Sequence, residues 1–283
     1  MIVIQHVGGL GNQMFQYAFG RYLSIKYKIP LFLDIHHYTY GHSNRNFDLE
    51  MFKLREVVIG EGRVLIKDHV QHSFRLKERQ FHFDKQAFNI LDGFNEVTKN
   101  QDYLFLLRGY WQSYKYFDTI KDVIKKDFEF KRKLSGKWLE LSKEIAKSNA
   151  VMINVRRGDY LQNLDYHGVV DEKYLFKAMK VLEKRVENPV FYVFSDDISW
   201  CRSHLIGYSN LHFVDERYYD EKFEFYLQLM TCCKHFIISN STFSWWGAWL
   251  SKYQNKIVIA PKKWFVADGL NAKDLIPKDW MKI

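Results

Sequence analysis

Two largely apolar runs, each passing into a polar turn, constrain this 283-residue chain more than any other feature. The first is "MIVIQHVGG" at the N-terminus and the second is "NAVMINVRRGD" at 149–159. A strand that is apolar throughout, rather than in alternation, is covered on both faces, as in parallel sheets flanked by helices. After the first run, Phe15, Ala18, Phe19, Tyr22 and Ile25 recur at helical spacing, with Gln16, Arg21 and Lys26 off that face. "KIPLFLDI" then supplies a second buried strand, so the first 35 residues predict a β-α-β unit.

Periodicity is weak over 36–105, where only "EVVI" and "DYLFLLRGYW" stand out as short elements. It sharpens again with the helical patterns "FDTIKDVIKKDFEF" and "GKWLELSKEIAKS". The second apolar run follows, then a helix with Leu175, Met179 and Leu182 on one face, the strands "PVFYVFSDD", "LHFVD" and "HFIISN", the helix "FEFYLQLMTCCK" and a last strand "KIVIAP". The chain is long for a single core. The fold expected is α/β: two doubly wound domains facing a cleft, with ligands beyond the strand C-termini. The domains are drawn at 1–145 and 146–283, with a last helix packing back on the N-terminal domain.

Totals narrow the class further. At 47% hydrophobic and 17% aromatic residues, the chain is neither a disordered tail nor a linker. No leader pattern and no uncharged run of about 18 residues is present, and Cys201, Cys232 and Cys233 lack C-x-x-C spacing. A cytoplasmic protein with at most peripheral membrane contact is expected, and a zinc knuckle is not. The net charge of +9 favours anionic partners. Acidic and basic residues are interspersed, as in "LEKRVEN", so no stripe suited to a nucleic-acid backbone is visible.

Four stretches carry chemistry. Gly9-x-Gly11 between a strand and a helix is half of a dinucleotide fingerprint, with Met14 at the third glycine and Asp34 ending the next strand. That admits an NAD(P)-dependent oxidoreductase, although Asn12 and Gln13 at the helix start also suit side chains directed at a ligand. "NVRRGDY" ends a buried strand in two guanidinium groups, which hold diphosphate in bidentate fashion, with Asp159 as a partner for one of them. "VFSDD" places Ser195, Asp196 and Asp197 at another strand end. These acids suit a divalent metal, hydrogen bonds to a nucleoside, or, for Asp197, the cap of the next helix. "ISNSTFSWWGAWL" sets Asn240, Ser241 and Thr242 at a helix N-terminus, an anion-binding position, before three tryptophans expected to pack inside the domain. A non-catalytic glycan-binding module is a third reading, built on the aromatic-rich 36–117 region.

In order, "GGLGNQMFQYAFG", "NVRRGDY", "GVVDEKYLFKAM", "VFSDD" and "NSTFSWWGAWL" resemble the α-1,2-fucosyltransferase family (glycosyltransferase family 11, bacterial type), and so does the closing "PKKWFVADGLNAKDLIPKDW". The resemblance implies a GT-B fold and inverting transfer of L-fucose from GDP-β-L-fucose to the 2-hydroxyl of a terminal galactose. The galactose-terminated acceptor would be free or lipid-linked, and no metal, other cofactor or nucleic acid would be required. It implies a donor site of Gly11, Asn12, Asn154, Arg156, Arg157, Ser195, Asp196, Asn240, Ser241 and Thr242, with Arg156, Arg157 and Asp159 as catalytic candidates. His36, Tyr38 and Trp111 are assigned to the acceptor, with Tyr40, His42, Phe81 and His82 nearby in sequence. Asn154 stands where the family usually has histidine, and Tyr226 stands near a usual acid, with Glu224 two residues away. The base that takes the acceptor's proton is sought in Asp159, His36 or Asp165.

Overall fold

The computed structural model describes residues 1–39, 45–55, 57–61, 72–78, 81–89, 92, 103–208 and 210–283. Tyr40 and His42 lie outside them. The chain divides into two compact units, Met1–Lys131 with Asn271–Pro277, and Arg132–Leu270 with Lys278–Ile283. The change therefore falls between Lys131 and Arg132 rather than at 145. The reason is the helix Gly136–Lys147, whose Trp138 packs on Phe225 at 4.9 Å and donates from its indole N–H to Tyr218 O at 2.8 Å, both in unit 2. The C-terminal segment of unit 1, 271–277, is made of turns instead of the expected helix.

Among the described residues, unit 1 holds a five-stranded parallel sheet: β1 Ile2–Gln5, β2 Leu31–Asp34, β3 Val57–Gly60, β4 His72–Lys77 and β5 Tyr103–Arg108, in the order β3-β2-β1-β5-β4. Helix α1, Leu10–Tyr27, crosses from β1 to β2. Gly20 lets the helix approach the sheet, since a Cβ there would lie 2.9 Å from Leu31 Cδ1 and 3.2 Å from Ile4 Cγ2. The apolar face read from the sequence lies on another side of the helix and is buried too, with Phe19 against Trp111 at 4.5 Å, while Tyr17 packs on Phe128 at 5.2 Å. Gln16 and Arg21, expected off the buried face, are therefore inside, and each is satisfied there. Gln16 donates to Gly109 O at 3.0 Å, and Arg21 donates to Asp127 at 3.0 Å.

Among the described residues, unit 2 holds a six-stranded parallel sheet: β6 Asn149–Val155, β7 Pro189–Ser195, β8 Leu211–Val214, β9 His235–Ile237, β10 Val258–Ala260 and β11 Met281–Lys282, in the order β11-β10-β9-β6-β7-β8. Numbered from its own first strand, this is 6-5-4-1-2-3, the dinucleotide-fold order with its reversal between β6 and β9. Its helices include α2 Glu172–Glu183, α3 Ile198–His204, α4 Glu224–Cys232 and α5 Thr242–Leu250. The α2 helix starts where Asp171 accepts the N–H of Tyr174 at 2.8 Å. It buries Leu175, Ala178, Met179 and Leu182 against Val151, Ile153, Phe191 and Ile237, each large side chain contributing roughly 1.5–3 kcal/mol. Trp245 and Trp246 are fully buried, Trp245 stacking on Trp249 and packing against Trp280 while Trp246 meets both Trp245 and Trp249 edge-on, so the tryptophan cluster is packing. Among the described residues no helix is long and apolar enough to cross a membrane.

Candidate functional site

All six strands of the second sheet run in parallel, so "RRGD", "SDD" and "NST" leave it at the same end, around the reversal between β6 and β9. Arg156 pairs with Asp159 and, at 2.8 Å, with Asp196 Oδ2. The backbone N–H of Arg157 donates to Asp196 Oδ1 at 2.8 Å, its Nε lies 3.1 Å from Asp197 Oδ2, and its guanidinium sits 4.3 Å over the Trp200 ring. These contacts leave both terminal Nη groups of Arg157 without a protein partner among the described residues. That half of the fork can take a pair of phosphate oxygens. The turn packs closely on the Asp196 carboxylate, since a Cβ at Gly158 would stand 2.5 Å from Asp196 Oδ2.

The two aspartates thus hold the arginines. Asp197 Oδ1 also accepts the N–H of Trp200 at 3.0 Å and caps α3, as the sequence suggested. Ser195 Oγ accepts the N–H of Asp197 at 2.9 Å, and the Ser195 backbone is clamped by two phenols. Tyr226 Oη accepts its N–H at 2.9 Å, and Tyr219 Oη donates to its carbonyl at 2.7 Å. Tyr226 therefore does structural work where an acid was expected. Glu224 is buried at the start of α4, 3.5 Å from Arg132, with its pKa raised chiefly by burial. Among the described residues no group of three His, Cys, Asp or Glu side chains is arranged to hold a metal ion.

Asn154 and Asn240 face inward. Asn154 donates to Phe194 O at 3.2 Å and accepts from Ser239 Oγ at 2.6 Å, so its amide joins β6, β7 and the segment after β9. Asn240 Nδ2 donates to the carbonyls of His167 and Trp264, and Tyr160 Oη donates to Asn240 O at 3.1 Å. Tyr160 in turn stacks on His167 at 4.2 Å. Ser241 is the extended residue before α5, and Thr242 opens the helix beside the arginine turn in the sheet order. Asp165 lies exposed on the short helix Leu164–His167, and Asp159 is exposed and engaged with Arg156.

In unit 1 the glycine turn after β1 is fastened from several sides. Gly8 has φ +79 and no room for a Cβ beside Asn12 Nδ2. Its carbonyl accepts from Tyr38 Oη at 2.8 Å and Gln13 Nε2 at 3.1 Å, and Gln16 Oε1 accepts the Val7 N–H at 3.1 Å. Gln13, expected to project toward a ligand, is fully buried and also ties down Asn46 and Asp48. Asn12 Oδ1 accepts from Gln112 Nε2 at 2.9 Å, joining the turn to the segment after β5, while Gly11 is buried in the first turn of α1. Met14 is fully buried at the third-glycine position, and Asp34 accepts the N–H of His36 at 3.1 Å.

The acceptor assignments divide. His36 is buried beside Asp34, and Tyr38 is half-buried over the glycine turn. Trp111 corrects the expectation: it is 0% exposed, wedged against Phe19 and Tyr116, and offers no face to a sugar. Phe81 stacks instead on Tyr110, which is half-buried.

The family model described as Glycosyl transferase family 11 matches residues 1–283. An Escherichia coli alpha-1,2-colitosyltransferase is 33% identical over 100% of this chain and 99% of its own length. The Bos taurus galactoside alpha-(1,2)-fucosyltransferase 1 is 32% identical over 51% of this chain and 43% of its own. Among solved structures, NodZ alpha-1,6-fucosyltransferase soaked with GDP-fucose aligns with a TM-score of 0.53 at 10% identity, covering 88% of this chain and 91% of that one. At that identity the likeness concerns the fold, which is the GT-B type expected from the motifs.

Proposed function

The chain belongs to glycosyl transferase family 11, a fucosyltransferase family, and on that premise we propose that it moves L-fucose from GDP-β-L-fucose to the 2-hydroxyl of a terminal galactose, with inversion at C1. The observation that carries this reading is the arginine pair beyond β6, with the Nη groups of Arg157, which have no partner among the described residues, beside the close-packed turn at Gly158. The diphosphate of GDP binds there. As the fucosyl C1–O bond breaks, Arg156 and Arg157 stabilise the charge that develops on the leaving phosphate, each such donor contributing on the order of 3 kcal/mol. The N-terminus of α5, at Ser241 and Thr242, adds partial positive charge at the same end of the sheet.

Transfer proceeds without a metal in this reading, since guanidinium groups supply the positive charge that a divalent ion would bring, and Asp196 and Asp197 are occupied in holding them. The acceptor is a galactose-terminated glycan bound by unit 1. A second donor follows from the full-length similarity to a colitosyltransferase: colitose is the 3-deoxy analogue of fucose, and a site built around GDP can serve both. The test offers GDP-fucose and GDP-colitose separately, in EDTA, with lactose and other β-galactosides, and analyses products by mass and linkage. An α-1,2-fucosylated product supports the proposal. Transfer from GDP-colitose alone corrects the donor, and transfer from neither overturns the reading.

A further inference from the structure

Glu78 is a carboxylate that none of the roles above employs. It follows the edge strand β4, and its N–H donates to Arg108 O at 2.8 Å, so β4 and β5 stay paired to their ends. Its Oε2 accepts two backbone N–H groups, from Tyr110 at 2.6 Å and Trp111 at 3.0 Å. Its Oε1 is buried and has no hydrogen-bond partner among the described residues. The chain turns tightly against this carboxylate. A Cβ at Gly109 would collide with Glu78 Cβ, and Trp111 is held at φ 55, a left-handed conformation rare for a bulky residue.

The place is as telling as the contacts. Unit 1 reverses its strand order between β1 and β5, and ligands of such sheets sit beyond the strand C-termini at that reversal. Glu78, Tyr110 and Gln112 follow β4 and β5 at that end, and Gln112 reaches across to Asn12 of the glycine turn after β1. Gln112 Oε1 is a second buried acceptor with no partner among the described residues. Two unmet acceptors, Gln112 Oε1 beside the strand-order reversal and Glu78 Oε1 after the edge strand next to it, suit a ligand that brings hydroxyl donors, which is the chemistry of a sugar.

We propose that Glu78 is the catalytic base, receiving on Oε1 the proton of the acceptor hydroxyl; this rests on the fucosyl-transfer reading above. In the step, the acceptor O–H bond breaks and its proton passes to Glu78. The freed electron pair forms the new bond to fucosyl C1, and the C1–O bond to GDP breaks, its pair leaving on the diphosphate. The backbone donors on Oε2 orient the carboxylate so that Oε1 is the oxygen left to act. Burial raises the Glu78 pKa to about 7, against the Trp111 and Tyr110 N–H groups and with Asp84 adding to it; Asp84, Tyr110 and Tyr116 are the ionisable neighbours. A base poised near neutrality suits proton abstraction from a hydroxyl.

Glu78→Gln separates this role from one in merely shaping the turn, because the glutamine carbonyl can still accept both N–H groups while the amide cannot take a proton. The full chain is assayed for transfer, acceptor KM, GDP affinity and thermal unfolding. The expected result is a fall in kcat of about 100-fold or more, with KM and GDP affinity within about threefold of wild type. In the wild type, log kcat should rise with pH and level off near 7, a measurement that needs no variant. A Gln variant with kcat within threefold of wild type, or a wild-type profile flat between pH 5.5 and 8, overturns the assignment of Glu78 alone. Absence of transfer by the wild-type chain overturns the transfer reading, and this proposal with it.

Discussion

The carboxylate of Asp196 accepts the backbone N–H of Arg157 at 2.8 Å, so the end of β7 fixes the course of the chain as it leaves β6. Because the other oxygen of Asp196 pairs with Arg156, one side chain positions both guanidinium groups. Asp196→Ala should weaken GDP binding by about 10- to 100-fold, the loss of one to two charge-assisted hydrogen bonds. Asp196→Asn should do less harm, since the amide oxygen can still accept the Arg157 N–H. Titration of GDP into the two variants checks the ranking.

Gly158→Ala presses a methyl group to 2.5 Å from Asp196 Oδ2. Since misplacing a reacting group by about 1 Å can cost on the order of 100-fold, kcat should fall at least tenfold. The melting temperature should stay close to wild type, because the residue is exposed. Parallel kinetics and thermal unfolding measure both.

Asp127 is buried in unit 1, accepting from Tyr17 Oη at 2.8 Å and Arg21 Nε at 3.0 Å. Asp127→Ala removes the carboxylate partner of the buried Arg21 guanidinium and should cost about 3–5 kcal/mol. Denaturant unfolding of the two proteins gives the difference directly.

His6 is fully buried beside Phe47, and burial pushes its pKa down to about 4 despite hydrogen bonds to Ile4 and Gln13. The unfolded chain takes up a proton on this group near pH 6.5 and the folded chain only near 4. Folding free energy therefore drops as pH falls across that window, by up to about 3 kcal/mol from this residue. Other groups titrate there too, Glu78 in the opposite sense. The difference between wild type and His6→Gln, followed by urea unfolding from pH 4 to 7, isolates the histidine: it should shrink by that amount on acidification.

Much of the second unit was legible in its sequence, because buried parallel strands are written as apolar runs that pass into polar turns. "NAVMINV" is β6, "VFSDD" ends β7, and Asp197 caps the helix it was read to cap. In the first unit, β4 was missed although "HSFRLK" alternates polar and apolar residues, the mark of a strand at a sheet edge. With it went Glu78, which sequence alone cannot distinguish from a surface glutamate. Trp111 was misread for a related reason: composition marks an aromatic residue as available, but only the packing of α1 shows that its ring is enclosed by Phe19 and Tyr116. Asn154 illustrates the same limit, since its amide is taken up by Phe194 and by Ser239, 85 residues further along.

The central claim is that the diphosphate of the donor lies on the arginine turn of unit 2. Titration calorimetry of GDP in EDTA, on wild type, Arg156→Ala and Arg157→Ala, with NADP as the control ligand, tests it most directly. Saturable GDP binding to the wild type, weakened at least tenfold in Arg157→Ala and absent with NADP, is the predicted result. Undiminished GDP binding in both arginine variants, or binding of NADP in place of GDP, would contradict it.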